Sequence, residues 1–326
     1  MIDNESGRAL LDNILNSDTG YATFILSGDL ARKTVAPTSS RGSVLTSFEI
    51  KPDVGAHGTN VFSAIPRWAI GGVSANNPDW ETLPWGSAYD FRSGSSMSTP
   101  HIAGGVALVI QYSREAGMSW DNQEIKSRIM NTAINLDYLG NNYGVFDGAR
   151  QMDVWAAVRA DTVVSVNYPR VATVSGLPFE QQPFETVRTG SFSFGGFNRY
   201  PNNNDVMLES LTATITNHYN VPRTYTITHE FITTGRNSLS GATLYHPSTV
   251  SVAANGFVDF TVMFNIPPGD DIGHYEGYLI VSYGNQIVAR LPFAGVTIKV
   301  TIYNLTQKAI LNLRFRIQNS FFIHYC

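Results

Sequence analysis

The stretch Gly94-Ser95-Ser96-Met97-Ser98-Thr99-Pro100-His101-Ile102-Ala103-Gly104-Gly105 constrains this chain more than any other. Small residues at 94–96 make a tight turn, and Ile102, Val106, Ala107, Val109 and Ile110 continue it as a helix. That helix is nearly apolar all round and rich in small residues. It is expected to be buried, with its neighbours close against it. Pro100 falls about one turn in, where a missing N–H costs least. Ser96, at the helix start, sits at the positive end of the macrodipole with its own N–H pointing outward, where an oxyanion would be stabilised. Such a serine becomes a nucleophile if a histidine reaches its hydroxyl. The plainer reading is an N-cap serine on a core helix.

The rest of the chain divides by texture. Short helices are expected over Gly7 to Leu15, from Ser119 to about Ala133, and over Val154 to Ala160, with a strand over Tyr21 to Leu26. After about residue 165 the period becomes two. Leu211, Ala213 and Ile215 alternate with polar residues, as do Val258, Phe260, Val262, Phe264 and Ile266. Gly284-Asn285 between two apolar runs marks a hairpin. Several short strands at this spacing argue for an antiparallel sandwich. The tail from Lys299 to Cys326 has no clear period.

Hydrophobic residues make up 43% of the 326 residues, enough to bury a core and to suggest two domains or one large one. A formal net charge of -4 leaves no basic excess for nucleic acid. No apolar run reaches the length of a membrane span. Cys326 is the single cysteine, so no intramolecular disulfide forms. The start, Met1-Ile2-Asp3-Asn4-Glu5, lacks the basic opening and apolar core of a signal peptide. Low charge with many Gly, Asn, Ser and Thr residues nevertheless suits a secreted, loop-rich enzyme.

Gly94-Ser95-Ser96-Met97-Ser98-Thr99-Pro100-His101 resembles the nucleophile motif of the subtilisin-like serine proteases, which places the nucleophile at Ser96. A Gly-x-Ser-x-Gly elbow does not fit, since Ser98 stands where its second glycine belongs. Ser39-Ser40-Arg41-Gly42 and Lys51-Pro52-Asp53-Val54-Gly55-Ala56-His57-Gly58-Thr59-Asn60-Val61 resemble further strings of the same family, with His57 where proline is usual. Gly148-Ala149-Arg150-Gln151-Met152-Asp153-Val154 resembles the family's closing string, with Gln151 irregular. The resemblance implies an α/β fold, the C-terminal half of a subtilisin-like parallel-sheet domain, followed by an all-β fibronectin-III-like sandwich. The order of domains resembles that of cell-envelope proteinases of the lactocepin and C5a-peptidase type. The expected boundaries are residues 1–35 for the end of a protease-associated insert, 36–165 for the catalytic half, 166–300 for the sandwich and 301–326 for an unassigned tail. The implied activity is endopeptidase, acting on a protein or peptide substrate. No cofactor and no metal ligands are expected.

A triad within the chain is rejected. Asp18-Thr19-Gly20 and His57-Gly58-Thr59 imitate the catalytic aspartate and histidine, but His57 and Ser96 are only 39 residues apart. The subtilisin order separates them by roughly 150. His57 belongs to the Lys-Pro-Asp string, and an Asx-type turn accounts for Asp18. His101, one turn beyond Ser96, is expected to be packed and hydrogen-bonded. The catalytic Asp and His are therefore expected in an N-terminal half that precedes Met1, and the chain alone is expected to be inactive. The alternative is a binding or adhesin segment that keeps the fold without the chemistry.

Overall fold

The computed structural model describes residues 34–44, 47–66, 89–136, 143–171, 183–199, 207–233, 238–269 and 271–299. The expected helix at Gly7–Leu15, the strand at Tyr21–Leu26, Asp18, the insert up to residue 33 and the tail from residue 301 lie outside them.

Three helices form a small layer. Helix α1 spans Ser95–Glu115, α2 spans Asn122–Thr132 and α3 spans Val154–Arg159. Sequence places the start of α2 at Ser119, whereas the helix begins after Asp121, whose carboxylate accepts the Glu124 N–H at 2.7 Å. Asp121 and Glu124 stand in the relation of an N-cap and its N3 residue, and the carboxylate also opposes the positive helix end. Asp153 caps α3 the same way, accepting the Ala156 N–H at 2.9 Å. The three helices share a core of Val109, Ile125, Ile129 and Ala157.

The expected burial of α1 is not met. Only Gly105, Val109 and Ser113 are buried, a single stripe at four-residue spacing. Leu108 is 56% exposed and Tyr112 41%. An all-apolar helix needs cover on every side, and the described residues cover one. Along that side the approach is close. A Cβ on Gly105 would meet Met152 Sδ at 2.7 Å and Val154 Cγ2 at 2.9 Å, so any larger residue would have to displace both side chains.

The expected parallel sheet is also not found among the described residues. Before residue 162 they hold two antiparallel two-stranded pairs, β1 (Val61–Ala64) with β2 (Tyr89–Arg92) and β3 (Ile134–Asn135) with β4 (Arg150–Gln151). Parallel neighbours need a crossover of a dozen or more residues between them. Here parallel pairing is confined to an isolated bridge, Gly55 to Gln151.

Ten strands follow in two five-stranded sheets. One has the order β10-β12-β8-β5-β6, built from Thr243–Tyr245, Phe257–Ile266, Met207–Asn217, Thr162–Val171 and Phe184–Thr189. The other has the order β11-β9-β13-β14-β7, from Thr249–Val252, Arg223–Ile232, Gly273–Tyr283, Gln286–Lys299 and Phe192–Arg199. All pairs are antiparallel except β14 with β7. Strand β5 begins at Thr162, so the first sheet opens ahead of residue 166.

Alternation fixes which side chains enter the core. Ala213, Ile215, Phe260, Val262, Phe264 and Ile266 point inward from β8 and β12, while Thr261 and Thr214 do not. They meet Phe192, Tyr225, Leu279, Leu291 and Phe293 of the other sheet in one cluster. Each Val, Leu, Ile or Phe among them contributes roughly 1.5–3 kcal/mol by leaving water. Gly284-Asn285 forms the turn between β13 and β14, where Tyr283 pairs with Gln286 and Gly284 takes a φ of 59°.

Polar side chains stitch the helices to the sheets. Asn131 Oδ1 accepts the Val164 N–H at 2.7 Å. The buried Arg150 donates to the carbonyls of Met130 (2.6 Å) and Arg290 (2.8 Å). Burial, eased by Tyr278, pushes its guanidinium down to about 10. No helix among the described residues is long and apolar enough to cross a membrane.

Candidate active site

The strings singled out in the sequence converge. Arg41 pairs with Asp147 at 3.1 Å, and Gly42 N–H donates to the Phe146 carbonyl at 2.9 Å. Gly55 N–H donates to Arg150 (2.6 Å) and its carbonyl accepts from Met152 (2.9 Å), so the Lys-Pro-Asp string lies along the closing string. That closing string in turn packs on α1 at Gly105. The residues 39–42, 51–61, 94–105 and 148–154 thus form one neighbourhood.

Within it the turn before α1 is held from the Lys-Pro-Asp side. Gly94 N–H donates to the Gly58 carbonyl at 2.7 Å, Ser98 Oγ donates to the Ala56 carbonyl at 3.1 Å, and Asn60 N–H donates to Ser93 Oγ at 2.8 Å. Gly94 has a φ of 152° and ψ of 168°, a region open in practice to glycine alone. Gly58 is crowded too, since a Cβ there would lie 2.9 Å from the Gly94 carbonyl oxygen.

Gly94 as N-cap supplies no side-chain bond to the helix. Its carbonyl accepts from Met97 (3.0 Å) and Ser98 (3.3 Å), and the N–H groups of Ser95 and Ser96 find no acceptor among the described residues. Ser96 is exposed, and its hydroxyl makes no hydrogen bond among the described residues. Hydroxyl and N–H therefore both stand open at the positive end of a 21-residue helix. An incoming carbonyl would meet a hydroxyl and an N–H donor on the same residue.

No histidine among the described residues bonds to Ser96. His57 is exposed, and its ring lies edge-on to His101, with centroids 6.2 Å apart. His101 Nδ1 donates to the Met97 carbonyl at 2.8 Å. It is hydrogen-bonded as expected but exposed, since α1 presents that face outward. A groove of about 720 Å³ runs beside α1 and α2, lined by Ile102, Val106, Ile110, Trp120, Ile125 and Ile129 among others. Ser96 is not among its lining residues. No group of three or more His, Cys, Asp or Glu suited to a metal occurs among the described residues. Ser93 escaped the sequence reading, which quoted Ala56 and Asn60 as part of the Lys-Pro-Asp string without a role.

Residues 15–155, the stretch that holds the serine opening α1 and the strings that brace it, match the subtilase family. The chain is similar to the minor extracellular protease Vpr of Bacillus subtilis, 29% identical over 290 residues, covering 88% of this chain and 30% of Vpr. Pyrolysin of Pyrococcus furiosus is 31% identical over 144 residues, 41% of this chain and 9% of pyrolysin. The subtilisin-like protease SBT3.16 of Arabidopsis thaliana is 34% identical over 146 residues, 43% of this chain and 16% of that protein. The chain spans under a third of the length of each of these relatives.

Proposed function

We propose that the chain is the nucleophile-bearing part of a serine endopeptidase, with Ser96 attacking the scissile carbonyl of a protein or peptide. The observation that carries this is the Ser96 hydroxyl and N–H standing open together at the start of α1. The family match and the relatives named as proteases support it. In this reading the Ser96 N–H holds the oxyanion, and a histidine oriented by an aspartate takes the hydroxyl proton. Since His57 and His101 do not reach Ser96, we assign those two partners to another segment, the rest of the catalytic domain. The uncovered apolar side of α1 fits such a segment, because Leu108 and Tyr112 gain cover from it. The two sheets are read as a fibronectin-III-like sandwich behind the catalytic half, and the protein as secreted or envelope-associated.

The test is hydrolysis of a fluorogenic peptide by the chain alone and by the chain extended with its upstream coding sequence, each beside Ser96→Ala. Turnover by the extended protein that Ser96→Ala abolishes is the expected result, with negligible turnover by the chain alone. Turnover that survives Ser96→Ala would remove Ser96 from the chemistry. Turnover by the chain alone that Ser96→Ala abolishes would put the base inside it.

A further inference from the structure

The two sheets approach one another at a pair of histidines far in sequence from Ser96. His229 lies on β9, and His246 directly follows β10. His229 Nδ1 and His246 Nε2 face each other at 2.8 Å, with ring planes at 86°. The other nitrogen of His246, Nδ1, is 2.9 Å from the Pro247 carbonyl. A carbonyl only accepts, so Nδ1 of His246 carries the proton and its Nε2 holds a lone pair. The His229 ring is braced by the edge of Phe231, centroids 5.5 Å apart, and Phe231 packs against Phe293. With no ion present, the His229 Nδ1–H donates to the lone pair of His246 Nε2. A neutral imidazole carries its one proton on either nitrogen, and placing it on Nε2 frees the Nδ1 lone pair.

We propose that His229 and His246 form a site for a divalent transition-metal ion of the copper(II) or nickel(II) type, with His229 Nδ1 and His246 Nε2 as adjacent ligands. The spacing selects the geometry. With metal–nitrogen bonds of about 2.0–2.1 Å, nitrogens 2.8 Å apart subtend roughly 84–89° at the ion. That is the angle between neighbouring ligands in square-planar or octahedral sites, the arrangement of copper(II) and nickel(II). A tetrahedral zinc site would hold its nitrogens about 3.3–3.4 Å apart. The Pro247 carbonyl on the far nitrogen of His246 is the partner a metal-bound histidine takes to fix its tautomer. No third His, Cys, Asp or Glu joins the pair among the described residues, so water completes the coordination. Because β9 and β10 belong to different sheets, the ion links the two sheets.

The experiment uses the full chain carrying Cys326→Ser, which removes the thiol as a competing ligand. Copper(II) chloride is titrated in by calorimetry near pH 7.5, and the bound ion is examined by electron paramagnetic resonance. The expected result is one preferred equivalent with two equatorial imidazole nitrogens, and a melting temperature raised by the metal. His229→Asn and His246→Asn should each weaken binding by at least about tenfold, while His57→Asn leaves it unchanged. Binding that both variants retain would overturn the assignment. So would a wild-type spectrum with fewer than two imidazole nitrogens, which is read without any variant. A preference for zinc over copper would overturn the ligand geometry.

Discussion

Glu276 offers the sharpest test of how the helical layer and the sheets are joined. It lies on β13, 1% exposed, and its carboxylate accepts the Val145 N–H at 2.6 Å and the Ser238 hydroxyl at 2.5 Å. Val145 opens the short 3₁₀ turn Val145–Asp147, so one buried carboxylate bonds the sheet to the loop that precedes β4. Glu276→Ala leaves the Val145 N–H buried without an acceptor, which costs about 1–3 kcal/mol. The lost methylene adds about 0.8 kcal/mol. The sum is a loss of about 2–4 kcal/mol. Glu276→Gln keeps an amide oxygen for Val145, and its N–H₂ can donate to Ser238, so the penalty should be much smaller.

The two variants also separate in pH. Burial raises the Glu276 carboxyl above its ordinary range, with Asp147 adding to the rise and the Ser238 and Val145 hydrogen bonds opposing it. The folded state therefore holds the proton at pH values where the unfolded state has released it. Stability from this group is present below the unfolded carboxylate range and is lost as pH rises through the raised folded value. Urea melts followed by circular dichroism from pH 4 to 8 should show wild type losing stability relative to Glu276→Gln across that window. Parallel pH profiles for the two proteins, or a Glu276→Ala cost under about 0.5 kcal/mol, the range of neutral surface changes, would refute the reasoning.

Three further outcomes are expected. Gly58→Ala forces a methyl against the Gly94 carbonyl and Ser98, so it should lower stability by about 1–3 kcal/mol in the same melts. Asn131→Ala orphans the buried Val164 N–H and should cost about 1–3 kcal/mol, whereas Asn131→Asp keeps the acceptor and should restore part of that loss. Ser96→Ala, at an exposed hydroxyl without a bond, should shift stability by no more than about 0.5 kcal/mol, which a cap serine would exceed.

What the sequence made legible was local. The turn at Gly94, the alternation in β8 and β12 and the hairpin at Gly284-Asn285 each follow from residues within a few positions of one another. The burial of α1 was misread because apolarity states what a helix needs, not what covers it. The start of α2 was misplaced because Ser119 and Asp121 are both capping residues, and the geometry with Glu124 decides between them. Glu276 and Val145 are 131 residues apart and His229 and His246 are 17 apart, so no local pattern could have paired them. The Ser96 neighbourhood was legible string by string, but its convergence, through Gly55 on Arg150 and Gly42 on Phe146, came only with the fold.

The placement of Arg150 bears on how such a chain could be rearranged by gene exchange. Its guanidinium rises from β4 and is held by the last turn of α2 and by β14. Recombination that grafted a different set of sheets behind these helices would bury the same cation against a surface lacking the Arg290 carbonyl. A donor sheet would have to bring a main-chain oxygen to that spot, or the recipient would have to give up the arginine in the same step. The junction near residue 162 looks like a seam in the sequence, yet in three dimensions it is crossed by a charge that neither side can hold alone.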